Sequence, residues 1–198
     1  MTALPLIFVA FLVLLAVFIF VVELRILRYA YRKIGVPPRY MFLVMLVSLL
    51  GSGVNIPLYE IAAGKGKVTV VAINLGGALL PLILSLFLFV RSGMPVRMLL
   101  GTVIVAAIAH SLARIVPGAG IALPMLVPPL AAAGVALVLA FRRAPPVAYV
   151  SGSMGTLIGA DLLNLSRLAE LGAPVVSIGG AGTFDGVFLT GIIAGLLA

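Results

Sequence analysis

The chain has 198 residues, of which 64% are hydrophobic and only 9% charged, against about a quarter charged in an ordinary soluble domain. That balance places it in a lipid bilayer, and about 20 apolar residues per helical crossing give room for roughly seven spans and no separate soluble domain. Absence of cysteine rules out disulfides, thiolate metal sites and a cysteine nucleophile, and a single histidine without an HExxH motif argues against a zinc protease. The net charge of +8 sits mainly between apolar runs, where it sets topology and meets lipid headgroups, so no nucleic-acid partner is expected. No cofactor and no metal are expected either.

Ala3 to Val22 is the first predicted span, too long in its apolar core for a cleaved signal peptide and read as a retained helix. Glu23 to Arg39 follows, with Arg25, Arg28, Arg32, Lys33 and Arg39. Tyr40 to Tyr59 is the second span, interrupted by Gly51-Ser-Gly-Val-Asn55-Ile-Pro57. A short loop with Glu60, Lys65 and Lys67 leads to the third, Val68 to Val90, which holds Asn74, Gly76, Gly77 and Pro81. After the loop Arg91 to Arg97 comes the fourth span, Met98 to Val116, ending near His110 and Arg114. Ile121 to Phe141 is the fifth, expected to be kinked by Pro124, Pro128 and Pro129. Pro146 to Ala198 supplies spans six and seven. The expected fold is therefore all-α, a polytopic bundle of about seven membrane helices forming one domain over residues 1–198.

The first, third and fifth loops hold nine lysines and arginines, and the other three connecting regions hold four. Positive residues stay cytoplasmic, so the expectation is an integral protein of a prokaryotic cell membrane with its N-terminus outside and its C-terminus inside.

Asp161 and Asp185 are the only aspartates, and both lie among small and apolar residues. With a turn at Gly172-Ala173-Pro174, Asp161 is ten positions before Leu171 and Asp185 ten after Val175. In an antiparallel helical hairpin both carboxylates reach the same depth, roughly 15 Å from the turn. An ionised carboxylate at mid-membrane costs about 2.5–3.5 kcal/mol, which makes such acids functional by default. Two side by side can share a proton, the arrangement with which aspartic proteases activate water. Alternatively, each acid pairs with Arg114 or Arg167.

Asn164 falls one turn after Asp161 and is a candidate to orient it, as Thr183 is for Asp185. Gly179, Gly180, Gly182 and Gly186 flank Asp185, either as locally unwound backbone that admits a substrate strand or water, or as small-residue helix packing. Asn55 and Asn74 sit in the two interrupted spans, a pattern that points to a transport site or simply to interhelical hydrogen bonding. Ser153 with His110 is a further nucleophile–base pair to consider.

The stretches Gly-Ser-Gly-Val-Asn55-Ile-Pro and Gly-Gly-Ala-Gly-Thr-Phe-Asp185-Gly-Val-Phe-Leu-Thr-Gly resemble a prokaryotic family of small multi-pass membrane proteins of unknown function. In plan, the last two spans also resemble the GxGD intramembrane aspartyl proteases (presenilin, signal peptide peptidase, type IV prepilin peptidase). That resemblance implies Asp161 as the first catalytic acid and Asp185 as the second, with Gly180-Ala181-Gly182 in place of the glycine motif. Thr183 and Phe184 separate those glycines from Asp185, and Ala160 stands where the family has tyrosine. Two functions are thus expected: hydrolysis of membrane-embedded peptides by an Asp161/Asp185 dyad, or proton- or cation-coupled transport of a small solute by the same acids with Asn55 and Asn74.

Overall fold

The computed structural model describes residues 3–62, 68–116, 120–171, 173–180 and 186–198, with backbone alone at 3–7 and 168–171. Seven α-helices are present: α1 (Ala3–Ile34), α2 (Pro38–Gly51), α3 (Leu80–Ser92), α4 (Pro95–Leu112), α5 (Val127–Ala140), α6 (Ala144–Thr156) and α7 (Gly186–Leu197). Five strands accompany them: β1 (Asn55–Ala62), β2 (Val68–Asn74), β3 (Arg114–Val116), β4 (Gly120–Ala122) and β5 (Val175–Ile178). Among the described residues, four helical segments are long and apolar enough to cross a membrane: Phe8–Ile34, Leu75–Ser92, Pro95–Leu112 and Val127–Arg167. α2 and α7 are shorter apolar helices.

The chain is predominantly helical, as expected, but the two small sheets depart from an all-α fold. The second predicted span stops at Gly51, and Asn55 onward is extended. Val68-Thr-Val-Val-Ala-Ile is dense in β-branched residues, which favour a pleated strand, and it pairs antiparallel with β1 instead of opening a helix. The fourth span likewise ends at Leu112, before β3. The expected kink in the fifth is absent, because Pro128 and Pro129 fall in the first turn of α5, where a missing N–H is harmless.

Prolines start four other helices in the same way, at Pro38, Pro81, Pro95 and Pro145. Gly93 ends α3 in the left-handed region (φ 67°). Between α5 and α6 the backbone leaves the helix at Ala140 (φ −148°, ψ 37°) and Arg143 (φ −135°, ψ 33°), and α6 packs back along α5.

Helix α6 is the centre of the bundle, buried at every position from Val147 to Thr156 and packed by α4, α5 and α7. Small residues allow this. A Cβ on Gly155 would lie 2.6 Å from Val105 Cβ of α4, so only glycine fits at that crossing.

One end of the bundle gathers most of the basic residues. Lys33 Nζ donates to Leu196 O at 2.6 Å, and Arg143 Nη2 to Ser92 O at 2.9 Å, tying together the C-terminal ends of α1, α3 and α7 and the α5–α6 junction. The opposite end carries the sheet, in the order β1-β2-β5. β2 and β5 run parallel, with Val70, Val71, Ala72 and Ile73 opposite Val175, Val176, Ser177 and Ile178.

The antiparallel helical hairpin expected over Pro146–Ala198 is not formed. After α6 come a π-turn (Leu157–Asp161), a 3-10 segment (Leu162–Leu171) and then β5. A strand rises about 3.3 Å per residue against 1.5 Å in a helix, so equal sequence distance from the turn no longer means equal depth.

The closest backbone approach joins the two sheet halves. After β2 the chain makes a second π-turn (Leu75–Leu79), and a Cβ on its Gly77 would collide with the carbonyl oxygen of Gly179. Gly77→Ala is therefore expected to lower stability by about 1–3 kcal/mol, as overpacking does. Gly134→Ala, in the interior of α5 with nothing within 4 Å of its Cβ, should be neutral or raise stability by up to about 1 kcal/mol. Thermal unfolding of both variants in detergent checks the pair.

Candidate functional site

Two polar constellations flank the β2/β5 pair. The first is built on Asn74, the last residue of β2, which is fully buried. Its Oδ1 accepts from Gly77 N at 2.7 Å and so caps the π-turn. Its Nδ2 donates to Ser52 O at 2.8 Å and to Asn55 Oδ1 at 3.0 Å. Asn55 Oδ1 also accepts from Ser177 Oγ of β5 at 2.6 Å. Asn55 and Asn74, singled out as polar residues of two interrupted spans, are thus in direct contact and link α2, β1, β2 and β5.

The second constellation is built on Asp161. Two residues beyond Ser177, Gly179 turns into the left-handed region (φ 80°) and its N–H donates to Asp161 Oδ2 at 2.7 Å. A charged acceptor makes this one of the stronger kinds of hydrogen bond. Asp161 closes the π-turn that ends α6, and with Thr156, Thr190 and Gly186 it lines a cavity of about 250 Å³. The β4–α5 connection, including Leu123, Pro124 and Met125, supplies the apolar wall.

The other expected site residues are placed as follows. Asn164 is buried, and its Nδ2 donates to Ala160 O at 2.9 Å and Gly159 O at 3.1 Å, carbonyls at the π-turn, while lying 3.4 Å from His110 Nδ1. Gly180 follows Gly179 with the same left-handed φ of 80°. Gly186 begins α7. Asp185, Gly182 and Thr183 lie outside the described residues. Ser153 is buried in α6 against Gly191 of α7, whereas His110 is exposed and faces Asn164. Among the described residues, no three His, Cys, Asp or Glu side chains gather as a metal site.

Sequence reading missed the Asp161 contact of Gly179, which it counted only among the glycines flanking Asp185, and it missed Ser177, Thr156 and Thr190. A signal for the first two was present: Val70-Val-Ala-Ile and Val175-Val-Ser-Ile are near repeats, each followed within three residues by a glycine pair and then by an apolar helix. The structure pairs these repeats in register.

Asn74→Ala would leave Ser52 O, Asn55 Oδ1 and Gly77 N without their shared partner. The expected loss is about 1–3 kcal/mol in a detergent unfolding assay. Asn55→Ala, at an exposed position, should cost less.

Comparison with curated proteins finds no match, and no solved structure matches the chain. A family model described as a protein of unknown function (DUF1614) matches residues 18–197, and the chain belongs to that family.

Proposed function

We propose that the protein is an intramembrane aspartyl protease-like hydrolase in which Asp161 and Asp185 form the working pair. The observation that carries this reading is the position of Asp161. Its carboxylate is held by Gly179, immediately after edge strand β5, in a cavity that Gly186, the covalent neighbour of Asp185, also lines. An extended segment of substrate added to the outer edge of β5 would run toward that carboxylate. Strand addition suits a membrane site, because a substrate helix that unwinds in lipid needs new partners for its backbone N–H and C=O groups.

In the proposed reaction one carboxylate takes a proton from water as the water oxygen attacks the scissile carbonyl carbon. The other, protonated, carboxyl donates to the carbonyl oxygen, and a proton then passes to the departing amine as the C–N bond breaks. In this reading Gly180, Gly182 and Gly186 would give the backbone room for an extended substrate, and Thr183 would position Asp185. The substrate class is a peptide embedded in the bilayer.

The same reading takes all seven helices as crossings. The basic end lies in the cytoplasm by the positive-inside rule, and the sheet end with the N-terminus lies outside. A second reading, a proton- or cation-coupled carrier, is favoured by the buried Asn74–Asn55 pair beside an interrupted helix, a common place for a transport site.

Cleavage of a panel of single-span peptides in detergent by wild type, Asp161→Ala and Asp185→Ala tests the proposal. Loss of about 10²–10⁴-fold in both variants, with block by a transition-state isostere, is the expected result. Wild-type protein that cuts no peptide, together with ion flux that depends on either acid, replaces the hydrolase with the carrier.

A further inference from the structure

Helix α6 carries a row of hydroxyls that hydrolysis does not use. Tyr149, Ser153 and Thr156 are spaced four and three residues apart, so they share one helix face, and all three are buried. Thr156 immediately precedes the π-turn Leu157–Asp161. A π-turn closes between residues five apart, which brings Asp161 onto the face of Thr156. Both residues line the Asp161 cavity.

Ser153 Oγ and Thr156 Oγ1 are buried and have no hydrogen-bond partner among the described residues. A hydroxyl inside a helix ordinarily satisfies itself on the carbonyl one turn back, and buried polar groups that do not are completed by water. Tyr149 is close enough to Ser153 for their side chains to interact, without a hydrogen bond of full geometry. Beyond Tyr149 the row continues across the helix interface to Tyr31 of α1, close enough to interact electrostatically, whose buried hydroxyl is near Ser48 of α2 without a hydrogen bond of full geometry. Tyr31 adjoins Arg32 and Lys33 at the basic end. Buried side-chain oxygens, of which those of Tyr31, Ser153 and Thr156 lack a hydrogen bond among the described residues, therefore run from the Asp161 cavity, at the sheet end, to the opposite end of the bundle.

We propose that this row, completed by a file of water molecules, conducts protons between Asp161 and the basic end of the protein. In each hop an oxygen accepts a proton on a lone pair and releases its own to the next oxygen, so the row is chemically unchanged once its hydroxyls reorient. Asp161 alternates between carboxylate and carboxylic acid, and the protons are drawn from and delivered to the two aqueous phases. Nothing else is oxidised, reduced or consumed. The conduction is an activity distinct from peptide hydrolysis, and it uses the same acid.

Proton flux into vesicles of phosphatidylethanolamine and phosphatidylglycerol, with a trapped pH dye and a potassium–valinomycin clamp, tests it on the full chain. Wild-type protein should acidify the lumen faster than protein-free vesicles after an external acid pulse. Thr156→Val, Ser153→Ala and Asp161→Asn should each slow that flux about tenfold or more, the effect of removing one hydrogen-bonding relay group. Thr156→Ser restores the hydroxyl and should restore the flux. Ser151→Ala should leave it unchanged, because Ser151 is buried on the other side of α6, against Gly101 of α4. Thermal unfolding establishes that each variant is folded, and Ser153→Ala stands in for Thr156→Val if the latter is not. Flux no greater than in empty vesicles, or full flux in both Thr156→Val and Ser153→Ala, overturns the proposal. Peptide cleavage is scored separately in detergent, where no gradient exists: cleavage without flux sinks the conduction alone, and flux without cleavage sinks the hydrolase alone.

Discussion

The structure depends on one close passage of backbone, where Gly179 crosses Gly77 and Ala78. A Cβ on Gly179 would stand 2.5 Å from that of Ala78, and one on Gly77 would strike the Gly179 carbonyl oxygen. Strands β2 and β5 are about a hundred residues apart, separated by four helices, and parallel strands can meet only through such a crossover. The two glycines let the strands stay in register to their ends and then diverge into separate helices. Because Gly179 is in the left-handed region there, its N–H is turned away from the sheet ladder and toward Asp161. Any side chain at either glycine would displace the donor that fixes the carboxylate, so the acid's position is set by packing at a site it does not occupy.

The π-turn at the end of α6 is the second half of the same device. Widening the helix by one residue per turn breaks the regular backbone hydrogen bonding and leaves carbonyls to be satisfied, and Asn164 supplies its amide to those of Gly159 and Ala160. The π-turn is pressed against α4, where a Cβ on Gly159 would clash with Ala106 O. With its amide committed to these carbonyls, Asn164 acts on Asp161 by stabilising the turn that presents it. Tight small-residue packing on one side and the Asp161 cavity on the other accommodate the distortion at this end of α6.

How much of this was legible in the sequence follows from what signals an apolar chain can carry. Composition and the spacing of basic clusters disclosed a helical membrane protein, and the basic residues do collect at one end. Asp161 stood out because an acid among apolar residues is costly wherever it is placed. Strand β2 was hidden because its residues are mostly apolar on both faces. Val68–Ile73 has no alternation to separate it from a helix, and only its density of β-branched residues argued otherwise. The proline-rich run Pro124–Pro129 read as a break within a span when it marks the start of one. Sequence reading considers Ser153 only as a partner of His110 and passes over Thr156, since a sequence does not reveal that a buried hydroxyl lacks a partner.

The sheet's two edges are treated differently, and the difference bears on function. An unpaired strand edge invites association, and proteins blunt it with proline, bulges or charge. Edge strand β1 has all three, with Pro57, an irregular register between Pro57 and Tyr59, and Glu60. Edge strand β5, Val175-Val-Ser-Ile, has none of them, and its far end delivers the chain to the Asp161 carboxylate. Among the described residues the sheet thus carries these devices on the edge away from the acid and lacks them on the edge that leads to it. A purely structural role for β5, stapling the C-terminal helices to the N-terminal half, would be served equally well by a blunted edge. A site that must take up an extended chain needs the edge left open, and this asymmetry supports reading β5 as the place where such a chain is received.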